Sequence, residues 1–287
     1  MSLAANNNMG HLPHVRFWQT TRFRLSLTYP LVMGIVNVTP DSFSKQQDHL
    51  STSEVIAHAQ QLLHEGADIL DVGGESTRPG AQALTHQQEW QRIAPVLQEL
   101  LRWNKPISLD TYHPENMQKA LDWGVDIIND VWALRQPKAL QTVALYPCGI
   151  CMMHMHAEPS TMQLNPMQED VLAALSVFFQ TQLQLTDGIG IVRDRIVLDP
   201  GIGFGKSVSQ NFLILKCQPH LLQFELPLMV GWSRKSSLGH VTGLDVSQRL
   251  VPSIAAAVLA MERGASILRV HDVAQTVAAR AVWQSSV

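Results

Sequence analysis

The chain has 287 residues, 46% of them hydrophobic, and a formal net charge of −3 at pH 7. This length can fold as one large domain, and Lys and Arg occur mostly singly, which argues against a general nucleic-acid or anionic-membrane surface. The 3 cysteines are too few for a disulfide framework and favour a reducing compartment, which we expect to be the cytoplasm.

The amino-terminal residues differ in composition from the rest of the chain. Residues 1–14 are rich in Asn and His and lack the basic start and apolar centre of a secretory signal. We expect them to form a flexible arm, followed by a single domain over residues 15–287.

Apolar, β-branched stretches that end in a polar or ionisable residue recur along the chain, and each predicts a strand. They cover residues 31–37, 69–71, 107–110, 125–129, 150–154, 196–199, 228–235 and 267–271. Segments with the apolar spacing of a helix lie between most of them. These cover residues 55–63, 87–103, 114–123, 136–146 (the weakest), 167–185, 208–217, 247–263 and 273–283. The alternation predicts an α/β fold, a (β/α)8 TIM barrel.

Two of the predicted helices have clear end signals. Thr52 or Ser53 can cap the first one, and Gly66 can close it. Before the helix at 167–185, Asn165 can serve as the N-cap and Pro166 as the first helical residue.

In such a barrel, side chains at the carboxyl ends of the strands meet on one face, where the chemistry is expected. A single Asp at a strand end is more often a cap or a turn residue. Here, however, polar groups follow most of the strands, so coincidence is a poor explanation. They are Asn37, Asp71, Asp110, Asn129, Asp199, Lys235 and His271.

At these positions the chain resembles the dihydropteroate synthase family of pterin-binding barrels, over about residues 25–280. The motifs that carry the resemblance are MGIVNVTPDSFS at 33–44, DVGGESTRPGA at 71–81, SLDT at 108–111, IND at 128–130, LDPGIGFGK at 198–206, GWSRKSSLG at 231–239 and RVHDV at 269–273. The resemblance implies a transferase that joins 6-hydroxymethyl-7,8-dihydropterin diphosphate to 4-aminobenzoate and releases pyrophosphate.

The resemblance also implies the pterin contacts. A pterin presents a paired donor edge that one carboxylate can accept with both oxygens, and the family places Asp199 there. Asp110 and Asn129 complete the hydrogen bonds of the ring, Lys235 donates to its carbonyl side, and Met153 packs on its face. Met153 is equally plausible as an ordinary core residue.

The leaving diphosphate needs positive potential and donors, which the resemblance assigns to Asn37, Thr77, Arg78, Arg269 and His271. The amide oxygen of Asn37 would bind the Mg2+ that arrives with the diphosphate. Asp110 would stabilise the cation left when the C–O bond breaks. The resemblance implies four catalytic residues in all: Asp41, Arg78, Asp110 and Lys235. The first two loops would close over that cation with Asp41, Phe43, Thr77 and Pro79.

For 4-aminobenzoate, the resemblance implies a site made by Thr77, Pro79, Phe204, Lys235 and Ser236, at which sulfonamides would compete. Family members are usually homodimers, and the apolar helices near 167–185 and 247–263 could form the interface. Two other functions remain open: a methyltransferase that uses a reduced folate, and a non-catalytic pterin-binding homologue. The methyltransferase would not need STRPG at 76–80 or SRKS at 233–236, and both are present.

A metal or redox site at Cys148 and Cys151, with His154 and His156 nearby, is a weaker hypothesis. Side chains alternate along a strand, so positions 148 and 151 face opposite sides and cannot readily share a metal ion.

Overall fold

The computed structural model describes residues 17–38, 51–75, 83–157, 162 and 166–286. The expected amino-terminal arm therefore lies outside the described residues, and so do Asp41, Phe43, Thr77, Arg78 and Pro79.

Parallel strands close into a barrel, which confirms the predicted (β/α)8 fold. The barrel strands are β3 (Leu31–Asn37), β4 (Ile69–Gly73), β5 (Ile107–Asp110), β6 (Ile127–Asp130), β7 (Gly149–Met153), β8 (Ile196–Asp199), β9 (Leu228–Val230) and β10 (Ala265–Val270). They lie side by side in the order β10-β3-β4-β5-β6-β7-β8-β9. The last predicted strand but one is shorter than expected: β9 ends at Val230, and 231–235 form a loop that leads to Lys235.

Helices follow the barrel strands where the apolar spacing predicts them, and a short helix at Ser236–Thr242 is one that this spacing does not predict. The helices are α1 (Thr52–His64), α2 (His86–Leu100), α3 (Pro114–Asp122), α4 (Ala139–Ala144), α5 (Val171–Gly188), α6 (Val208–Lys216), α7 (Ser236–Thr242), α8 (Leu250–Glu262) and α9 (Val273–Gln284). No helix in the described part of the chain has the length and apolar character needed to cross a membrane.

The predicted caps of two helices were wrong. Ser51, rather than Thr52 or Ser53, caps α1, because its side chain accepts from the Glu54 amide while the Glu54 carboxylate accepts from the Ser51 amide. Helix α5 begins at Val171 instead of 167, since the Asp170 carboxylate accepts from the backbone amides of Leu172 and Ala173 in the first turn.

A short antiparallel hairpin that the strand pattern did not predict closes the end of the barrel opposite the polar rim. It consists of β1 (Phe17–Gln19) and β2 (Arg24–Ser26). Trp18 is fully buried among side chains of the barrel interior, and its indole Nε1 donates to the carbonyl of Arg195 at 2.9 Å. Arg22, in the turn, binds the buried Asp126 carboxylate at 2.7 Å.

The two clustered cysteines face opposite sides of β7, as the alternation predicted. Cys148 packs in the layer between strands and helices, whereas Cys151 lies in the barrel interior. Within the described ranges, no group of three or more His, Cys, Asp or Glu side chains is arranged to hold a metal ion.

Candidate active site

The barrel register brings the polar strand ends together on one rim. Asp110 lies opposite Asn129 where β5 pairs with β6, and Met153 lies opposite Asp199 where β7 pairs with β8. The carboxyl ends of parallel strands share one edge, so residues up to 198 positions apart in sequence come into contact there.

An arginine with two carboxylates occupies one side of this rim. Arg269, on β10, donates from Nε to Oδ2 of Asp71 at 2.7 Å and from Nη2 to Oδ2 of Asp110 at 2.6 Å. Asn129 donates from Nδ2 to the same Asp71 oxygen at 3.1 Å. Asp71 therefore orients both an expected diphosphate ligand and an expected pterin ligand.

Burial and neighbouring charges have opposite effects on the pKa values of Asp110 and Arg269. Burial raises the pKa of Asp110 to about 7, although the Arg269 guanidinium opposes the increase. Burial alone would lower the pKa of Arg269, but Asp71 and Asp110 outweigh it and hold that pKa above its ordinary value. Arg269 is thus a permanent cation whose position is fixed by two acids.

On the other side of the rim, Asp199 ends β8 and begins a glycine-rich loop. Its Oδ1 accepts from the backbone amide of Gly201 at 2.7 Å. Burial raises the pKa of Asp199, whereas the Gly201 amide and the cations Lys235, Arg269 and Lys206 favour the ionised form. These groups oppose the effect of burial and favour a carboxylate that can accept hydrogen bonds.

Lys235 lies beside this loop, immediately before α7. Its Nζ is 4.2 Å from the centroid of the Phe204 ring. Burial lowers the pKa of Lys235 to about 8, and repulsion from Arg269 acts in the same direction. A Cβ at Gly203 would lie 3.3 Å from Lys235 Cδ, so a residue without a side chain leaves room for the lysine stem.

An apolar wall borders the same space. Met153 and Phe204 are buried in one cluster with Val131, Met155 and Met162. Such a surface can pack against a flat heterocycle or a benzoate ring.

His271 follows β10, and its Nδ1 lies 3.0 Å from the hydroxyl oxygen of Ser233. The backbone amide of His271 donates to the same oxygen at 3.1 Å. Burial, together with Arg234 and Arg269, lowers the pKa of His271 to about 3. His271 is therefore a neutral imidazole in the ligand-free site, where it can donate a hydrogen bond to an anion.

The remaining predicted ligands lie at the edge of this space. Asn37 is half-buried at the end of β3, and Ser236 is exposed at the first position of α7. The described rim thus includes Asn37, Asp110, Asn129, Met153, Asp199, Phe204, Lys235, Ser236, Arg269 and His271.

The sequence pattern predicts no role for several residues that hold the site. It marks Asp71 only as the end of a strand. Ser233 and Lys206 stand inside the quoted motifs SRKS and LDPGIGFGK, and their positions there were the available signal. Asn211 gave none: on α6, its Oδ1 accepts from the Gly203 amide at 2.8 Å and its Nδ2 donates to Ser237 at 3.0 Å.

Comparison with known proteins places this geometry in a family. The sequence profile of the family described as "Pterin binding enzyme" matches residues 33–271. Dihydropteroate synthase from Neisseria meningitidis serogroup B is 45% identical over 275 residues, which cover 93% of this chain and 96% of the relative.

Two solved structures have the same fold over nearly the whole chain. Xanthomonas albilineans dihydropteroate synthase with 4-aminobenzoic acid superposes with a TM-score of 0.86, at 45% identity, over 92% of this chain and 95% of its own. Burkholderia cenocepacia dihydropteroate synthase complexed with 7,8-dihydropteroate superposes with a TM-score of 0.85, at 40% identity, over 96% and 97% respectively.

Proposed function

This chain belongs to the dihydropteroate synthase family of pterin-binding enzymes, and we propose that it forms 7,8-dihydropteroate from 6-hydroxymethyl-7,8-dihydropterin diphosphate and 4-aminobenzoate. The observation that carries this function is the buried Asp199 carboxylate beside Lys235 and Phe204, on the same rim as Asp110, Asn129 and Arg269.

The pterin binds across the barrel mouth. The ionised Asp199 accepts from the 2-amino group and the adjacent ring N–H, while Asp110 and Asn129 meet the remaining polar edge. Lys235 donates to the carbonyl side, and Met153 packs on the ring face. A ring with another donor pattern would leave buried groups unpaired, at about 1 to 3 kcal/mol each, so the site selects as well as binds.

In the reaction the C–O bond of the pterin methylene breaks and pyrophosphate departs with the bonding electrons. The aminobenzoate nitrogen then forms the C–N bond and loses one proton. Asp110 lies where its negative charge stabilises the cation formed between these steps. Arg269 attracts the leaving diphosphate with its positive charge, and the neutral His271 donates a hydrogen bond to it.

The aminobenzoate carboxylate is held by Lys235 and the Ser236 hydroxyl, and its ring packs on Phe204. Sulfonamides have a similar ring with an acidic group opposite the amine, so they compete for this site. Asp41, Thr77, Arg78 and Pro79 keep the roles expected from the sequence.

Magnesium fits the described donors as an ion carried by the substrate. Asn37 offers one amide oxygen at the rim, and Mg2+ is usually bound by one or two protein oxygens together with phosphate oxygens and water. When bound, the ion neutralises charge on the pyrophosphate.

We also propose that the chain works as a homodimer in the cytoplasm. A groove of about 470 Å3 between α8 and α9 is lined largely by apolar side chains, including Leu259 and Val282, which are 43% and 74% exposed. The free thiols of Cys148, Cys151 and Cys217 agree with a reducing compartment. Light scattering at micromolar concentration tests the dimer; a monomer mass would contradict it.

The test of the reaction is to supply the purified chain with magnesium and the dihydropterin diphosphate, with and without 4-aminobenzoate. Dihydropteroate is followed by chromatography and pyrophosphate by a coupled assay. Product that depends on aminobenzoate is expected. Pterin binding without product would instead favour a non-catalytic homologue.

A further inference from the structure

Lys206 is a buried lysine to which the proposed reaction assigns no role. It follows the loop from β8, and only 3% of its surface is exposed. Its Nζ donates to the carbonyls of Gly201 at 2.8 Å, Phe204 at 3.1 Å and His154 at 3.2 Å. Three carbonyl acceptors can satisfy all three N–H groups of an ammonium ion, whereas a neutral amine has only two. Burial lowers the pKa of Lys206 to about 7, and Asp199 opposes this decrease, so the ammonium form is present below about that pH.

These three bonds join the loop after β8 to the end of β7. The loop backbone is tightly fitted there: Gly201 and Gly205 have φ values of +66° and +69°, and a Cβ on either would overlap a carbonyl oxygen, that of His154 or His156. The turn of the backbone aims the Gly201 and Phe204 carbonyls at the ammonium.

The same loop carries one contact for each substrate. The Gly201 amide donates to the Asp199 carboxylate at 2.7 Å, on the pterin side. The Phe204 ring, on the aminobenzoate side, lies 4.2 Å from Lys235 Nζ. A change in loop shape would therefore move both half-sites.

The charge of Lys206 also acts on the site. Among the ionisable groups around it are Asp199 at the end of β8, Lys235 before α7 and His154 after β7. Asp199 favours the charged form of Lys206, and Lys206 in turn favours the ionised form of Asp199. A pterin needs that ionised form, because a protonated carboxyl cannot accept two N–H groups at once.

We propose that Lys206 is a positioning residue for both substrates: its three carbonyl bonds set the loop that carries Phe204, and its charge keeps Asp199 an acceptor for the pterin. This inference rests on the proposed function. Neither effect requires Lys206 to touch a substrate.

Lys206→Met removes the charge and keeps the stem, and K206R keeps the charge but cannot direct three N–H groups to the same carbonyls. Binding of 6-hydroxymethylpterin, which lacks the diphosphate, is measured by calorimetry from pH 5 to 8, and KM for 4-aminobenzoate by turnover. We expect K206M to weaken pterin binding at least about tenfold. Its affinity should also be lost at a higher pH than in the wild type as pH falls, because the pKa of Asp199 rises.

K206R should keep the wild-type loss of pterin affinity as pH falls, because its charge still acts on Asp199, while raising KM for 4-aminobenzoate. The matched control is Lys216→Met, an exposed lysine in the last turn of α6, which should match the wild type in every measurement.

Wild-type pterin affinity, pH dependence and aminobenzoate KM in K206M would overturn the inference. If K206M does not fold, the K206R variant tests the inference instead. An unchanged KM for 4-aminobenzoate in K206R would overturn the positioning role of Lys206. Wild-type protein that binds no pterin and forms no product would instead refute the proposed function.

Discussion

Arg269 and Asp71 are 198 positions apart in sequence, yet Nε of the arginine donates to Oδ2 of the carboxylate at 2.7 Å. Asp71 is fully buried, and Asn129 donates to the same oxygen. One side chain on β4 therefore connects a cation proposed for the diphosphate with an amide proposed for the pterin.

Asp71→Asn should weaken binding of both the pterin and the diphosphate. An amide oxygen can still accept from Arg269 and Asn129, but it carries no negative charge to balance the buried guanidinium. Breaking a buried pair costs about 3 to 5 kcal/mol, so we expect a lower free energy of unfolding in urea together with weaker pterin binding. Asp68→Asn is the control. It breaks a half-exposed ion pair with Arg280, in which the two side chains are 2.6 Å apart, and this pair lies away from the rim. Full pterin affinity in D71N would contradict this role.

The pH dependence of turnover should reflect Lys235. Its pKa is lowered to about 8 by burial and by Arg269, so the ammonium is present below that pH and is lost above it. We expect kcat/KM for 4-aminobenzoate to fall as pH rises through about 8, because a neutral amine does not attract the carboxylate. Lys235→Arg, which stays charged, should move this decline to higher pH. An unchanged profile in K235R would assign the decline to another group.

The two proposed halves of the site can be separated with a truncated ligand. Lys235→Ala should weaken binding of both the pterin alone and the pterin diphosphate. His271→Ala should weaken only the diphosphate, since the imidazole is a donor to the leaving group. Ser233→Ala should weaken binding of the pterin diphosphate in the same way as H271A but to a smaller extent, because it removes the hydroxyl that lies at His271 Nδ1. Equal losses of pterin affinity in H271A and K235A, measured by calorimetry, would refute the division.

Gly201 should be essential for the shape of the β8 loop. Gly201→Ala adds a methyl group that overlaps the His154 carbonyl, at a φ of +66°. Gly124 provides the control, because its φ is +91° but a Cβ there would meet nothing within 4 Å. G124A should cost about 1 kcal/mol of unfolding free energy from backbone strain alone, and G201A clearly more. Equal losses in urea titrations would show that the overlap relaxes at no cost.

The order and type of the elements could be read from the sequence because barrel strands are buried on both faces and helices on one. Leu31–Asn37, Ile107–Asp110 and Ile196–Asp199 have the predicted bounds, since their apolar runs end at the polar rim residue. The hairpin under the barrel could not be read in the same way. Its strands have three residues each, which is too short for a clear pattern. Trp18 is held there by a hydrogen bond to the carbonyl of Arg195, a residue far away in the sequence.

The start of α5 differs from the prediction because several candidate N-caps lie close together in the sequence. Asn165 and Pro166 are good cap residues in isolation, but Asp170 also is, and local spacing does not rank competing caps. The structure selects Asp170, whose carboxylate accepts from two amides.

The sequence by itself determined the barrel, its polar rim and the family resemblance that named ligands for a pterin, a diphosphate and an aminobenzoate. Those properties depend on residue type and spacing along the chain. Only the tertiary structure decided that Asp71 joins Arg269 to Asn129, that Ser233 meets His271, and that Lys206 holds three carbonyls of two loops. Such contacts connect strands far apart in sequence, and no local pattern encodes which side chains face each other after the barrel closes.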